Sequence, residues 1–174
     1  MSTLHELIKY GSFLGGSGGS SGGDWEVLAD MEFAVATGYV EITEFPDGGS
    51  IRDVKRLYVT GSVARDSDGN GGGDLVLRCA GPDDVGGIQI CGGQSTVGAI
   101  EFSAFIERVG NELCPFNIMS SHSNYYWPLV YKTNYVDVKG TATPLGDKLH
   151  FGQWTAGSTF GVGSRLKVWA IRNK

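Results

Sequence analysis

A chain of 174 residues is long enough for one ordinary domain with a sizeable core plus an appendage. Its formal net charge of -5 argues against a surface that coats nucleic acid. It has no apolar run near the roughly 18 residues that a membrane-spanning helix needs, so neither a nucleic-acid partner nor membrane insertion is expected. Glycine, at 28 residues, stands at roughly twice its ordinary share, which predicts many turns between short strands, with helix in the minority. Cys79, Cys91 and Cys114 are odd in number and lack C-x-x-C spacing, so they read as free thiols, with no disulfide framework and no cofactor implied. The N-terminus carries no export signal, and synthesis and assembly in a cytosol are expected.

In chain order, Thr3 and Glu6 have capping-box spacing, and Leu4, Leu7 and Ile8 share one helical face. Residues 3–10 therefore predict about two turns of amphipathic helix, too short to persist alone because isolated helices below about 12 residues are marginal. Residues 11–23 (GSFLGGSGGSSGG) read as a flexible tether that spans on the order of 20 Å. Together, residues 1–23 are expected to form an anchoring arm, with Leu4, Leu7 and Ile8 as its anchoring face, and residues 24–174 the folded domain.

The pattern then turns to period two. Trp25, Val27, Ala29, Met31, Phe33 and Val35 alternate with Glu26, Leu28, Asp30, Glu32 and Ala34, predicting a first strand with the odd-numbered set on one face. Further strands are expected at 39–45, 55–64, 74–80, 88–91, 99–109, 113–120, 125–138, 148–154 and 165–171. Leu57, Val59 and Val63, then Leu75, Leu77 and Cys79, then Ile100, Phe102, Ala104 and Ile106 are the expected inward residues. A turn is expected at Asn111-Glu112. Pro128 removes a ladder donor and so places the strand at 125–138 on an edge or at a bulge. Turn signals every eight to twelve residues and no alternating helices predict an all-β antiparallel sandwich, jelly-roll-like, with a short N-terminal helical arm.

Three stretches of this pattern carry a likeness: Tyr39-Val40-Glu41-Ile42; residues 54–64 (VKRLYVTGSVA), a polar hairpin and Leu75-Val76-Leu77-Arg78; and Ala156-Gly157-Ser158 with the closing residues 163–171 (GSRLKVWAI). In these, residues 38–171 resemble a β-sandwich found among structural proteins of tailed bacteriophages, variously tail-fibre, receptor-binding or virion proteins. The resemblance implies a non-enzymatic, trimeric component of the virion exterior, assembled in the host bacterial cytoplasm. Its expected partners are further copies of itself, other virion proteins of baseplate, tail or capsid, and a host-surface glycan.

Few residues suggest chemistry. Asp66, Asp68 and Asn70, with Gly71, stand at the first, third, fifth and sixth positions of a calcium loop, but Leu77 occupies the place of the bidentate glutamate and the flanks are strands. A solvated hairpin tip is the reading preferred over a weak calcium site. G-x-S-x-G strings in the tether lack the strand and helix of a nucleophile elbow. His5, His122 and His150 have no carboxylate at recognisable spacing, and each reads as a satisfied or exposed histidine. Tyr126 and Trp127 are candidate ligand-facing aromatics, in a segment where Tyr125, Trp127, Leu129, Tyr131 and Tyr135 share a face whose preferred reading is inward packing, with Tyr126 and Val130 outward.

In the closing strand, Leu166, Val168 and Ala170 alternate with Arg165, Lys167, Trp169 and Ile171. Trp169 and Ile171 would be wet on a solvent face, so a loop or another subunit is expected to cover them, and they are the candidate oligomer interface. With the arm, the resemblance implies a short tail-fibre or receptor-binding head anchored by residues 1–23, with a capsid decoration protein as the alternative. A carbohydrate-binding module, which would need exposed aromatics on one sheet face, and a carbohydrate-active enzyme, which would need facing carboxylates, are the rival classes.

Overall fold

The computed structural model describes residues 25–64, 75–79, 87–91, 99–122, 125–131, 142–153 and 160–173, with backbone alone at 120–122, 125–131 and 153. The arm with Leu4, Leu7 and Ile8, and the candidate calcium ligands Asp66, Asp68 and Asn70, lie outside the described residues.

Eleven strands are described: β1 Glu26–Glu32, β2 Tyr39–Ile42, β3 Val54–Ala64, β4 Leu75–Arg78, β5 Ile88–Cys91, β6 Ala99–Val109, β7 Glu112–His122, β8 Tyr125–Tyr131, β9 Thr143–Pro144, β10 Leu149–Gln153 and β11 Arg165–Arg172. They form two antiparallel sheets. The larger runs β1-β11-β3-β6-β7-β8, with β9 also paired to β7, and the smaller runs β2-β10-β4-β5. Setting β7 to β9 aside, the first strand pairs with the last, the second with the next to last, β3 with β6 and β4 with β5. That nested pairing of eight strands is the jelly-roll connectivity. The remaining strands widen the larger sheet beyond β6, so its outer face is much broader than that of the smaller sheet.

Alternation does what the sequence predicts on the long strands. Ile100, Phe102, Ala104 and Ile106 of β6, Leu57, Val59 and Val63 of β3, and Leu166, Val168 and Ala170 of β11 are buried against Val40, Ile42, Leu75, Leu77, Leu149 and Phe151 of the smaller sheet. Burying each such side chain contributes roughly 1.5–3 kcal/mol before the entropy of ordering is subtracted. On β4 the alternation fails as a guide, because Val76 and Arg78 are buried as well as Leu75 and Leu77.

Local irregularities adjust the ladders at several points. In β1 the register passes from Val27 opposite Trp169 directly to Ala29 opposite Val168, leaving Leu28 as an extra, bulged residue. The bulge breaks the predicted single face: Ala29 and Met31 turn inward, while Val27 falls on the outer face beside Trp169. In β7, Asn117 pairs with Phe105 and Pro115 with Ile106, so Phe116 is bulged in the same way. The β6–β7 hairpin turns at Gly110-Asn111, one residue earlier than expected, because Gly110 has φ 62° and a tight two-residue turn needs positive φ at its first central position. β8 lies at the edge of its sheet, and Pro128 falls where its pairing to β7 is irregular, between Leu129 and Tyr125. This is the placement a missing ladder donor demands.

Candidate protein-contact face

Strand register decides which side chains become neighbours on the outer face of the larger sheet. Val27, Trp169, Tyr58, Phe105 and Asn117 are successive cross-strand partners on β1, β11, β3, β6 and β7. Directly opposed residues hold their Cβ atoms about 4.5–5.5 Å apart, close enough for aromatic rings to touch face to face. Trp169 stacks on Tyr58 with centroids 5.2 Å apart and planes at 26°, and Tyr58 stacks on Phe105 at 4.4 Å and 23°. Each such pair contributes about 0.5–1.5 kcal/mol beyond its area burial. Trp25, just ahead of β1, closes over the row edge-on, 6.5 Å from both Tyr58 and Phe105.

The row remains open to solvent. Trp25 is 43% and Phe105 41% exposed, and the adjoining Phe116 and Met119 of β7 are 59% and 47% exposed. Polar pairs border it: Lys167 sits 5.1 Å from the Trp169 ring centroid and bonds Asp30 at 2.6 Å, while Arg56 pairs with Glu107 directly across the strands at 2.7 Å. An apolar centre with a charged rim is the anatomy of a protein contact surface. The centroid separations are close to the strand spacing of about 4.8 Å, so the rings of Trp169, Tyr58 and Phe105 turn their faces to one another and their edges outward. Sugar rings stack on open aromatic faces, which this row spends internally.

The candidate interface residues Trp169 and Ile171 both lie on this face, half-buried, with Trp169 part of the row and Ile171 opposite Arg56. Part of the cover the sequence demanded for Trp169 therefore comes from Tyr58 and Lys167 of the same face. Tyr58 and Phe105 were readable as outward residues from the alternation of their strands. What was not readable was that they share one row with Trp169. For Tyr126 and Trp127 the structure places the backbone on edge strand β8 and describes no side chain.

The outer face of the smaller sheet holds a second row. Glu41 of β2, His150 of β10 and Arg78 of β4 are direct cross-strand partners. Glu41 Oε1 accepts from Lys148 Nζ at 2.6 Å and lies 3.2 Å from His150 Nδ1, which donates because a carboxylate can only accept. Burial pushes the His150 imidazole below its ordinary range; Glu41 opposes this, and the charges of Lys148 and Arg78 reinforce it. Burial alone would raise the Glu41 carboxyl, but the hydrogen bonds from Lys148 and His150 outweigh it, and the carboxyl is held below its usual value. His150 is only 3% exposed, with the Tyr39 ring stacked on it at 4.9 Å. A Cβ at Gly152 would stand 2.8 Å from its Nε2, so glycine is what admits the ring there. This is the satisfied histidine that the sequence led us to expect, with a carboxylate partner that only strand pairing supplies.

Cys79, Cys91 and Cys114 are not joined in disulfides, and burial pushes the Cys79 thiol up to about 12, which makes it unreactive at neutral pH. Among the described residues no group of three or more His, Cys, Asp or Glu is arranged to hold a metal ion, and no helix is long and apolar enough to cross a membrane. No family model, no curated protein and no solved structure matches the chain.

Proposed function

We propose that the chain is a non-enzymatic assembly subunit of the kind that builds the exterior of tailed-phage particles, and that it meets another protein through the outer face of its larger sheet. The observation that carries the contact is the solvent-open aromatic row of Trp25, Phe105, Tyr58 and Trp169 with its charged rim. Its setting in a virion rests on the resemblance of residues 38–171 to phage structural sandwiches, in keeping with the jelly-roll pairing of the strands. In this reading residues 1–23 anchor the subunit and the sandwich projects, as a short tail-fibre or receptor-binding head or as a capsid decoration protein. A homotrimer is the expected assembly.

Sedimentation of the full chain over a range of concentrations tests the contact. Association is expected, and Phe105→Lys, which places a charge beside Tyr58 in the row, is expected to abolish it without loss of fold. Retention of the associated mass by that variant would refute the contact. Retention of a glycan by the intact protein on an array, lost in Trp25→Ala, would instead favour a carbohydrate-binding module. Labelling of purified particles with an antibody to the sandwich separates tail from capsid.

A further inference from the structure

We propose that, before assembly, the aromatic row of the larger sheet is covered by the chain's own N-terminal segment, residues 3–14, seated through Leu4, Leu7 and Ile8. The inference rests on the reading of this row as a contact surface and adds how the surface is kept from premature contact. Three observations point to this occupant.

The first is where the arm is attached. β11 lies between β1 and β3, yet the Trp25 ring, only one residue ahead of β1, reaches Tyr58 on β3 and Phe105 on β6. The residue from which the arm departs therefore lies against the row itself. The second is reach. The tether of residues 11–23 spans on the order of 20 Å, and the row, which crosses five strands, is about 19 Å wide, so the apolar segment cannot stray far from it. A short flexible link holds its two ends at an effective concentration in the millimolar range, so even an intrinsic affinity of about 1 mM leaves the row covered about half the time. The third is fit. A helix over residues 3–10 is about 12 Å long and presents one apolar stripe, a match for a row of ring edges that is longer than it is wide.

A segment with no stability of its own gains it by burial, and a surface with exposed aromatics loses its tendency to associate. When the arm is drawn off to its anchor on the particle, the row is released for the neighbouring subunit. Docking of the arm and association of the sandwich are thus alternatives at one surface.

The test places the photoreactive analogue benzoylphenylalanine at position 105 of the full chain and irradiates an equal mixture of ordinary and ¹⁵N-labelled protein at low micromolar concentration. Mass spectrometry is expected to find position 105 joined to a peptide from residues 3–14, with both parts carrying the same isotope. Changing Leu7→Asp together with Ile8→Asp is expected to reduce that product tenfold or more. The same double change, with residue 105 left as phenylalanine, is expected to shift association to a several-fold lower concentration. Products of mixed isotope joining position 105 to residues 3–14 would overturn the proposal in favour of an arm exchanged between copies. Products joining position 105 only to another copy's sandwich would overturn it while leaving the row as an interface. The absence of any product with residues 3–14 would overturn it as well. Failure of the contact reading itself shows separately, as an associated mass unchanged by Phe105→Lys.

Discussion

The two outer faces of the sandwich use one structural device to opposite ends. On each, cross-strand register lines up side chains from three or more strands in a row: Trp169, Tyr58 and Phe105 on the larger sheet, Glu41, His150 and Arg78 on the smaller. The aromatic row is open to solvent at Trp25 and Phe105 although it is apolar, and the charged row is closed over His150 and Arg78 although it is polar. Each is the reverse of what burial energetics favours for an isolated domain. In the charged row Glu41 is committed to His150 and Lys148, so the row ties β2 to β10. An exposed aromatic row lowers the free energy of the system when something covers it, so it invites a partner.

The contrast can be broken most forcefully at Gly152. A side chain there collides with the buried His150 ring, whose Nε2 would stand 2.8 Å from a Cβ. Gly152→Val is expected to cost about 3 kcal/mol in a urea titration, by overpacking against a neighbour that has no room to yield. An unchanged midpoint would mean that the polar row is slack. Association through the other face should survive wherever the variant still folds.

Trp169→Ala strikes the aromatic row, with a smaller effect on folding. The half-buried ring gives up its stack on Tyr58 and its contact with Lys167, for an expected loss of about 2 kcal/mol in stability. It is also expected to weaken self-association in sedimentation. Unchanged mass and unchanged thermal midpoint together would remove Trp169 from the interface.

Of the two rows, the charged one is where acidity should act. The folded-state pKa of His150 lies below the ordinary value of 6.5, so the unfolded chain binds its proton first. The stability this contributes is complete above pH 6.5 and is lost as pH falls through the folded-state value. Glu41, also depressed, from 4.5, adds a second loss in the same direction at lower pH. Stability measured from about pH 8 downward is therefore expected to begin declining near pH 6.5, and His150→Asn is expected to flatten that first decline. A variant that keeps the full slope would assign it to another group. The smallest effects belong to the rim, where the ion pairs Lys167–Asp30 and Arg165–Glu32 are largely exposed. Asp30→Asn and Glu32→Gln are each expected to move stability by no more than about 0.5 kcal/mol, within reach of a careful denaturant series.

Much of the sandwich is legible in the residues themselves, because a strand's two faces repeat every two residues and the chain records that period locally. The inward sets of β3, β6 and β11, the short β5 and the edge position demanded by Pro128 are all of this kind. Pairing is not local. The partner of Tyr58 on β3 is Trp169, far along the chain in β11, and the partner of Glu41 on β2 is His150 on β10, so no spacing in the sequence announces either row. Bulges add a second obstacle. Leu28 and Phe116 each insert one residue, reversing which parity faces outward, and the alternation of Trp25 to Val35 looks the same with or without such a step. The sequence by itself therefore determined the all-β class, most of the strands and the core faces of β3, β6 and β11, since these follow from the chemistry of adjacent residues. Only the tertiary structure decided the jelly-roll pairing and the two rows, because register is set jointly by turns, bulges and the packing of distant strands.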